Sequence, residues 1–146
     1  MLTQINGLHH VTSLASGAQE NNAFFTRALG LRRVKKTVNF DAPDVYHLYY
    51  GDEAGTPGTV MTYFPFPNAR RGRPGTGEVG TTAFAVPKGA LPYWQDRLST
   101  LDVAGLTRGS RFGDAVLAFD GPDGDGFALI ESDDDRAPWT DAGVPA

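Results

Sequence analysis

The sequence predicts an α+β fold of two βαβββ modules that pair into a half-open β-barrel cup. The first observation is a repeated order of elements, in which a strand, a helix and three strands occur twice along 146 residues. The second is a nearly constant spacing between matching positions, since Thr12 precedes Ala83 by 71 residues and Leu48 precedes Leu117 by 69. The third is the content of 18 glycines and 10 prolines, which favours sheets over a helical bundle.

The first module covers about residues 7–64. Apolar patterning predicts a strand at 8–14, a helix at 22–29, and strands at 33–40, 45–50 and 59–64. Phe24, Phe25 and Ala28 share one face of the helix, and Gly30 is predicted to end it. Each module would leave one sheet face without a helix, and pairing two such faces makes a cup lined by alternate strand residues.

The second module covers about residues 78–132 and follows a Pro- and Gly-rich linker at 65–77. A strand is predicted at 79–86, a helix at 89–101 with Leu91, Trp94 and Leu98 on one face, and strands at 103–107, 115–119 and 127–131. The acidic tail, 133–146, is predicted to be a linker. We therefore interpret 1–146 as a single domain with an internal duplication.

Composition excludes several classes of function. The net charge of −4 argues against nucleic acid as a partner. The absence of cysteine excludes disulfides, zinc fingers and thiol catalysis. No signal peptide or long apolar span is present, so we expect a cytoplasmic protein with no membrane partner.

The histidine pair in "GLHHVTSLAS" is the strongest candidate for chemistry. His10 begins an alternating face with Thr12 and Leu14 that the cup predicts to point inward, where a neutral imidazole can ligate iron, manganese or zinc. The other interpretation of His10 is a core histidine bonded to backbone. His9 is either a residue at the rim that exchanges a proton with a bound phenol or a packed surface side chain.

Two further positions are weaker candidates. In "VYHLYY", His47 and Tyr49 share a face and could line a substrate pocket. His47 could be a second ligand, an acid–base group or a hydrogen-bonded sheet residue, and we favour the last. Glu131 ends the final strand and could close a metal shell, although it shares its face with Leu129 rather than with Ala128.

Three stretches resemble a known superfamily. They are "GLHHVTSLAS", "LGLRRVKKTVNFDAPDVYHLYYGDEAGTPGTVMTYFPFP" and "GSRFGDAVLAFDGPDG". They resemble the vicinal oxygen chelate superfamily (glyoxalase, bleomycin resistance protein and extradiol dioxygenase), and within it the N-terminal half of hydroquinone-type ring-cleaving dioxygenases. The resemblance implies an Fe(II) site of two histidines and a glutamate, with the first metal ligand at His10. It also implies that His9 and Thr12 lie near the substrate.

The chain departs from this family pattern in its ligand positions and in its length. Thr81 stands where the superfamily often has a histidine, Ala128 stands where it often has a glutamate, and Glu131 comes three residues later. Family members of this type are about twice as long, so the remaining ligands would come from a partner chain, such as a homodimer, or from a second half.

The leading hypothesis is an Fe(II)-dependent extradiol-type ring-cleaving dioxygenase that acts on small hydroquinone-like aromatics and dioxygen, with Mn(II) or another divalent metal as the other choice of cofactor. The alternative is a metal-free small-molecule binding protein of the glyoxalase/bleomycin resistance fold. An isomerase or lyase of the glyoxalase type ranks last, because it needs a fuller ligand set.

Overall fold

The computed structural model describes residues 4–73, 75–133, 139 and 144. The chain divides into two compact units, one of Met1–Ala69 with Trp139–Ala146 and one of Arg70–Pro138. Each unit has the element order strand, helical segment, three strands, and each has one four-stranded mixed sheet. This confirms the predicted α+β fold and its two βαβββ modules.

Unit one contains the elements β1 (His10–Ala15), α1 (Ala18–Ala23), β2 (Arg32–Val38), β3 (Tyr46–Gly51) and β4 (Val60–Pro65). Its sheet has the strand order β1-β4-β3-β2, with β1 parallel to β4 and the other pairs antiparallel. Helix α1 continues as a π-helical segment over Phe24–Ala28. The chain then turns at Gly30, whose φ of 67° is one that glycine adopts without strain.

Unit two contains β5 (Thr82–Val86), α2 (Leu91–Thr100), β6 (Thr107–Arg111), β7 (Asp114–Asp120) and β8 (Gly126–Glu131). Its strand order, β5-β8-β7-β6, with β5 parallel to β8, repeats that of unit one. The repeated topology supports an internal duplication. The predicted apolar face of α2 is confirmed, because Leu91, Trp94 and Leu98 are all buried.

The prediction for one strand was wrong. The sequence indicated a strand at 103–107, but β6 runs from Thr107 to Arg111. All five of its residues are exposed, and among the described strands it lies at the edge of the sheet, next to β7. An edge strand without a buried face has no apolar alternation, so the hydrophobic pattern could not locate it.

The helical segment of unit one covers one face of its sheet. The ring of Phe25 stacks on Tyr50 with 4.7 Å between centroids and lies 5.1 Å from the ring of Tyr63. All three side chains are almost completely buried, which makes them the centre of this unit's apolar core. Because strand residues alternate between faces, the neighbours of Tyr50 and Tyr63 point to the opposite side, which we call the helix-free face.

Two described residues of the predicted linker tail contact unit one. The indole Nε1 of Trp139 donates a hydrogen bond to the carbonyl oxygen of Gly30 at 2.9 Å. The side chain of Val144 lies where a Cβ on Gly30 would stand. The rest of the tail after Asp133 lies outside the described residues.

Candidate functional site

The helix-free face of unit one brings together four of the predicted site residues. His10 and Thr12 lie on it from β1, and His47 and Tyr49 lie on it from β3. Strand β4 separates them, and its Thr62 is in register with Thr12 on one side and with Tyr49 on the other. The face therefore carries a row of hydroxyl and imidazole groups across three neighbouring strands.

These groups form a continuous chain of hydrogen bonds. The hydroxyl of Tyr49 lies 2.8 Å from Nδ1 of His47, and Nε2 of His47 lies 3.1 Å from Oγ1 of Thr62. Thr62 donates in turn to Oγ1 of Thr12 at 2.8 Å. Thr62 is completely buried, whereas Thr12 is exposed, so the chain runs from the interior of the sheet to an accessible hydroxyl.

Thr62 is a site residue that the sequence analysis missed. It lies in "VMTYFP", where the alternation puts Thr62 on the face opposite Met61 and Tyr63. The available signal was a small polar residue, Thr62, in a strand of mostly apolar and aromatic residues. A buried hydroxyl needs a hydrogen-bond partner. Its partners depend on strand register over 50 positions of sequence, which the pattern alone does not give.

The adjacent histidines lie at the start of β1. His10 is the first residue of the strand and His9 precedes it, so strict alternation does not yet apply to the pair. Their Nδ1 atoms are 3.1 Å apart and their rings meet edge to face. One Nδ1 must carry the shared proton while the other accepts it. This contact leaves Nε2 of each exposed ring available for another partner.

The surroundings of the hydrogen-bond chain keep its two titratable residues, His47 and Tyr49, neutral. Burial lowers the pKa of His47, and the nearby charges of His10 and Lys35 lower it further. Burial raises the pKa of Tyr49. At neutral pH His47 is therefore an imidazole with one donor and one acceptor nitrogen, and Tyr49 keeps its phenolic proton.

An aromatic ring and a lysine lie next to this chain of hydrogen bonds. The ring of Phe64 lies 4.0 Å from the ring of His47, centroid to centroid. Nζ of Lys35 lies 5.4 Å from the centroid of the Tyr49 ring. The face thus offers apolar ring surface, hydrogen-bonding groups and a positive charge, a combination suited to a planar aromatic ligand with oxygen substituents.

Glu131 belongs to unit two and its carboxylate has a partner there. Oε1 of Glu131 accepts a hydrogen bond from the backbone nitrogen of Leu91 at 3.1 Å. Its neighbour in register, Val86, is buried, and the carboxylate points to the start of α2. Ala128 lies on the other face of β8, paired with Ala83. The contact with Leu91 gives Glu131 a structural role, and its assignment as a metal ligand stays a prediction.

The described residues offer one candidate metal ligand but no complete set of ligands. Within ranges 4–73 and 75–133, and at residues 139 and 144, no three His, Cys, Asp or Glu side chains are gathered so that they could hold a metal ion. His10 by itself fits a metal, because its imidazole is exposed and Nε2 lies outside the contact with His9. The chain therefore presents a candidate ligand without a complete shell.

The chain is similar to curated ring-cleaving enzymes of bacteria. It is 45% identical over 141 residues to MhqO of Bacillus subtilis, which is provisionally named a ring-cleaving dioxygenase. It is 40% identical over 147 residues to the chlorohydroquinone/hydroquinone 1,2-dioxygenase of Sphingobium indicum. These matches cover 96% and 97% of this chain but 45% and 46% of the two relatives. The chain thus spans less than half the length of the curated relatives it matches.

Solved structures decide the fold family. A crystal structure of a provisionally named dioxygenase from Bacillus subtilis matches with a TM-score of 0.83 and 47% identity, over 86% of this chain and 40% of that one. A glyoxalase family protein from Enterococcus faecalis matches with a TM-score of 0.67 over 86% of this chain and 98% of its own. The chain has the fold of the vicinal oxygen chelate superfamily.

No protein-family model matches the chain, so its likeness to this superfamily rests on these relatives and structures. At 20% identity the glyoxalase family protein shows the superfamily fold alone. Among the described residues, no helix has both the length and the apolar character needed to cross a membrane.

Proposed function

We propose that this chain is part of a cytoplasmic, Fe(II)-dependent extradiol-type ring-cleaving dioxygenase that acts on hydroquinone-like aromatic compounds. The observation that carries the proposal is the position of His10, exposed at the start of β1 on the same face as the Thr12 hydroxyl. The 40% identity to a chlorohydroquinone/hydroquinone 1,2-dioxygenase supports the substrate class.

In this proposal His10 binds the metal through Nε2, while Nδ1 contacts His9 and fixes the orientation of the ring. A bound divalent metal supplies Lewis-acid and redox chemistry at open coordination positions. Fe(II) suits imidazole ligands, and Mn(II) or another divalent metal is the other choice.

The neighbouring side chains handle the substrate. His9 is next to the proposed ligand and exposed. Since its Nδ1 accepts the proton on Nδ1 of a metal-bound His10, its Nε2–H can donate a hydrogen bond to a phenolic oxygen. The Thr12 hydroxyl contacts the same substrate oxygen. His47 and Tyr49 support the site from β3 through their hydrogen bonds, with Tyr49 and Phe64 offering ring surface to the substrate.

The remaining ligands are proposed to come from elsewhere, either a second copy of the chain in a homodimer or the length of the relatives that this chain does not match. Glu131 is a weaker candidate than His10, because one carboxylate oxygen is bonded to the backbone of Leu91.

Anaerobic titration of the purified chain with Fe(II) tests the proposal, read as iron bound per chain. We expect His10→Ala to weaken iron binding at least tenfold, because losing only an outer-shell partner of a metal ligand already costs about 10–100-fold. His47→Gln is the matched control, since both ring nitrogens of His47 are already hydrogen bonded. Equal affinity of His10→Ala and the unaltered chain would contradict the ligand role. Consumption of hydroquinone and dioxygen by the iron-loaded protein is the second readout.

The alternative function is a metal-free protein that binds planar aromatic compounds. It is favoured by the absence of a gathered three-ligand cluster among the described residues. Calorimetry with hydroquinone in the presence of a chelator separates the two functions. Binding that is unchanged by iron and by His10→Ala would support the alternative.

A further inference from the structure

The starting point is the position of Thr62 in the hydrogen-bond chain. Its side chain is completely buried, and its single hydroxyl lies between Oγ1 of Thr12 at 2.8 Å and Nε2 of His47 at 3.1 Å. A hydroxyl donates one hydrogen bond and accepts up to two. If Thr62 donates to one neighbour, it must accept from the other. The hydrogen bonds on its two sides therefore run in the same direction, from donor to acceptor.

The hydrogen bond between Tyr49 and His47, at the far end of the hydrogen-bond chain, determines that direction. In the described part of the structure, the contact with Nδ1 of His47 at 2.8 Å is the hydrogen bond that the Tyr49 hydroxyl makes. A phenol that donates its proton to Nδ1 leaves the proton of the imidazole on Nε2. Nε2 then donates to Thr62, which leaves the proton of Thr62 to be donated to Thr12 at 2.8 Å. In this direction the proton left over is that of the Thr12 hydroxyl, which is exposed and can be satisfied by solvent.

The opposite direction leaves over the proton of a less exposed hydroxyl, that of Tyr49. Thr12 would have to donate to Thr62, Thr62 to Nε2, and Nδ1 to the Tyr49 hydroxyl. The phenolic proton of Tyr49 would then have no acceptor within the described residues. An unpaired polar group at a half-buried position costs free energy, so the first direction is favoured.

We propose that Tyr49, His47 and Thr62 are positioning residues that polarise the Thr12 hydroxyl, so that it presents its proton to the helix-free face. Since Thr12 accepts from Thr62, its own proton is directed to a ligand on the exposed side. The ligand oxygen that fits is a hydrogen-bond acceptor, and among aromatic ligands a phenolate fits better than a neutral phenol. The phenol class rests on the proposed function, whereas the direction of the chain does not.

The tautomer of His47 tests the direction without any ligand. Long-range ¹H–¹⁵N correlation spectra of the full chain distinguish a protonated Nε2 from a protonated Nδ1, and substitution of His9 and His10 assigns the three histidines. We expect the Nε2–H form for His47. Tyr49→Phe removes the donor to Nδ1, so Thr62 becomes free to donate to Nε2 and the population should shift to Nδ1–H. An Nδ1–H form in the unaltered chain would overturn the proposal.

Thr37→Val is the matched control for these spectra. Thr37 lies on the same face and is in register with His47 on β2, and it lies outside the chain from Tyr49 to Thr12. The substitution removes a threonine hydroxyl next to the imidazole and should leave the tautomer unchanged. A shift as large as that of Tyr49→Phe would mean that general polarity, rather than the directed chain, sets the tautomer.

Binding of 4-nitrophenol to the chelator-treated chain tests the preference for phenolates, because absorbance distinguishes the ionised and neutral forms. We expect the unaltered chain to favour the phenolate, and Thr62→Val, which removes the hydroxyl but keeps the volume, to reduce that preference about tenfold. Thr62→Ser restores the hydroxyl and should restore the preference. No binding, or equal preference in the unaltered and Thr62→Val chains, would overturn the ligand class. If the protein binds no iron, the proposed function is contradicted. The His47 tautomer and the phenolate preference are both measured without iron, so they still test this inference.

Discussion

The carboxylate of Glu131 accepts a hydrogen bond from the backbone N–H of Leu91, with 3.1 Å between Oε1 and the nitrogen. Glu131 is the last residue of β8 and Leu91 is the first residue of α2, so the bond ties the end of the sheet to the start of the helix. The residue before the helix, Ala90, has no side chain that can cap it. A negative charge at this end of a helix is also favourable, because the N–H groups there are unpaired.

Removal of this carboxylate should therefore destabilise unit two. We expect Glu131→Ala to lower the free energy of unfolding by about 1 kcal/mol, the usual cost of losing a helix cap. Glu131→Gln keeps an acceptor oxygen and should lose less. Urea unfolding followed by circular dichroism measures both. If Glu131→Ala keeps full stability while iron binding falls, Glu131 acts as a ligand and the capping role is wrong.

The order of elements was predictable from the sequence because most strands have one buried face. Strand β7, for example, buries Leu117 and Phe119 on one face, and the prediction of 115–119 falls inside its observed bounds. Strand β6 was not predictable, because none of its residues is buried and its pairing with β7 alone defines it. Burial produces the periodicity that sequence analysis uses.

The candidate site was predictable in part for a related reason. Alternation along single strands was enough to put His10 with Thr12, and His47 with Tyr49, on shared faces. The contact from Thr12 to Thr62 depends on the register between β1 and β4, which follows from the whole sheet. Sequence patterns report the face of a residue, and tertiary structure determines its partner across the strands.

The hydroxyl of Tyr50 gives a prediction about stability. The oxygen is buried and has no hydrogen-bond partner within the described residues. A buried, unpaired hydroxyl costs about 1–3 kcal/mol. We therefore expect Tyr50→Phe to leave the free energy of unfolding unchanged or to raise it, as measured by urea unfolding. Tyr50→Leu is the control, since it also removes the ring that stacks on Phe25 and should destabilise the unit. A loss above 1 kcal/mol in Tyr50→Phe would show that the hydroxyl has a partner.

The same residue should make the protein sensitive to alkaline pH. Burial raises the pKa of Tyr50 to about 12 from its ordinary value of 10.0, and the charge of Arg33 opposes that rise. Below pH 10 Tyr50 keeps its proton in both the folded and the unfolded state, so its ionisation does not lower the free energy of unfolding. Between pH 10 and 12 the unfolded state releases the proton first, and roughly 2–3 kcal/mol is lost.

The comparison of the unaltered chain with Tyr50→Phe isolates this contribution, because all other titrating groups are shared. The difference in unfolding free energy between the two proteins should grow in favour of Tyr50→Phe as the pH rises from 9 to 12. Parallel pH profiles would show that Tyr50 ionises with an ordinary pKa.

Gly30 combines two constraints that substitutions can separate. Its φ of 67° disfavours any residue with a Cβ, at a cost of roughly 1–2 kcal/mol, and a Cβ would also meet the side chain of Val144. We expect Gly30→Ala to lower the free energy of unfolding by more than the backbone cost alone. Val144→Ala should restore the steric part, so that the double substitution retains only the backbone cost. Urea unfolding of the two single variants and the double variant measures the coupling, and additive losses would show that Val144 does not lie against Gly30 in solution.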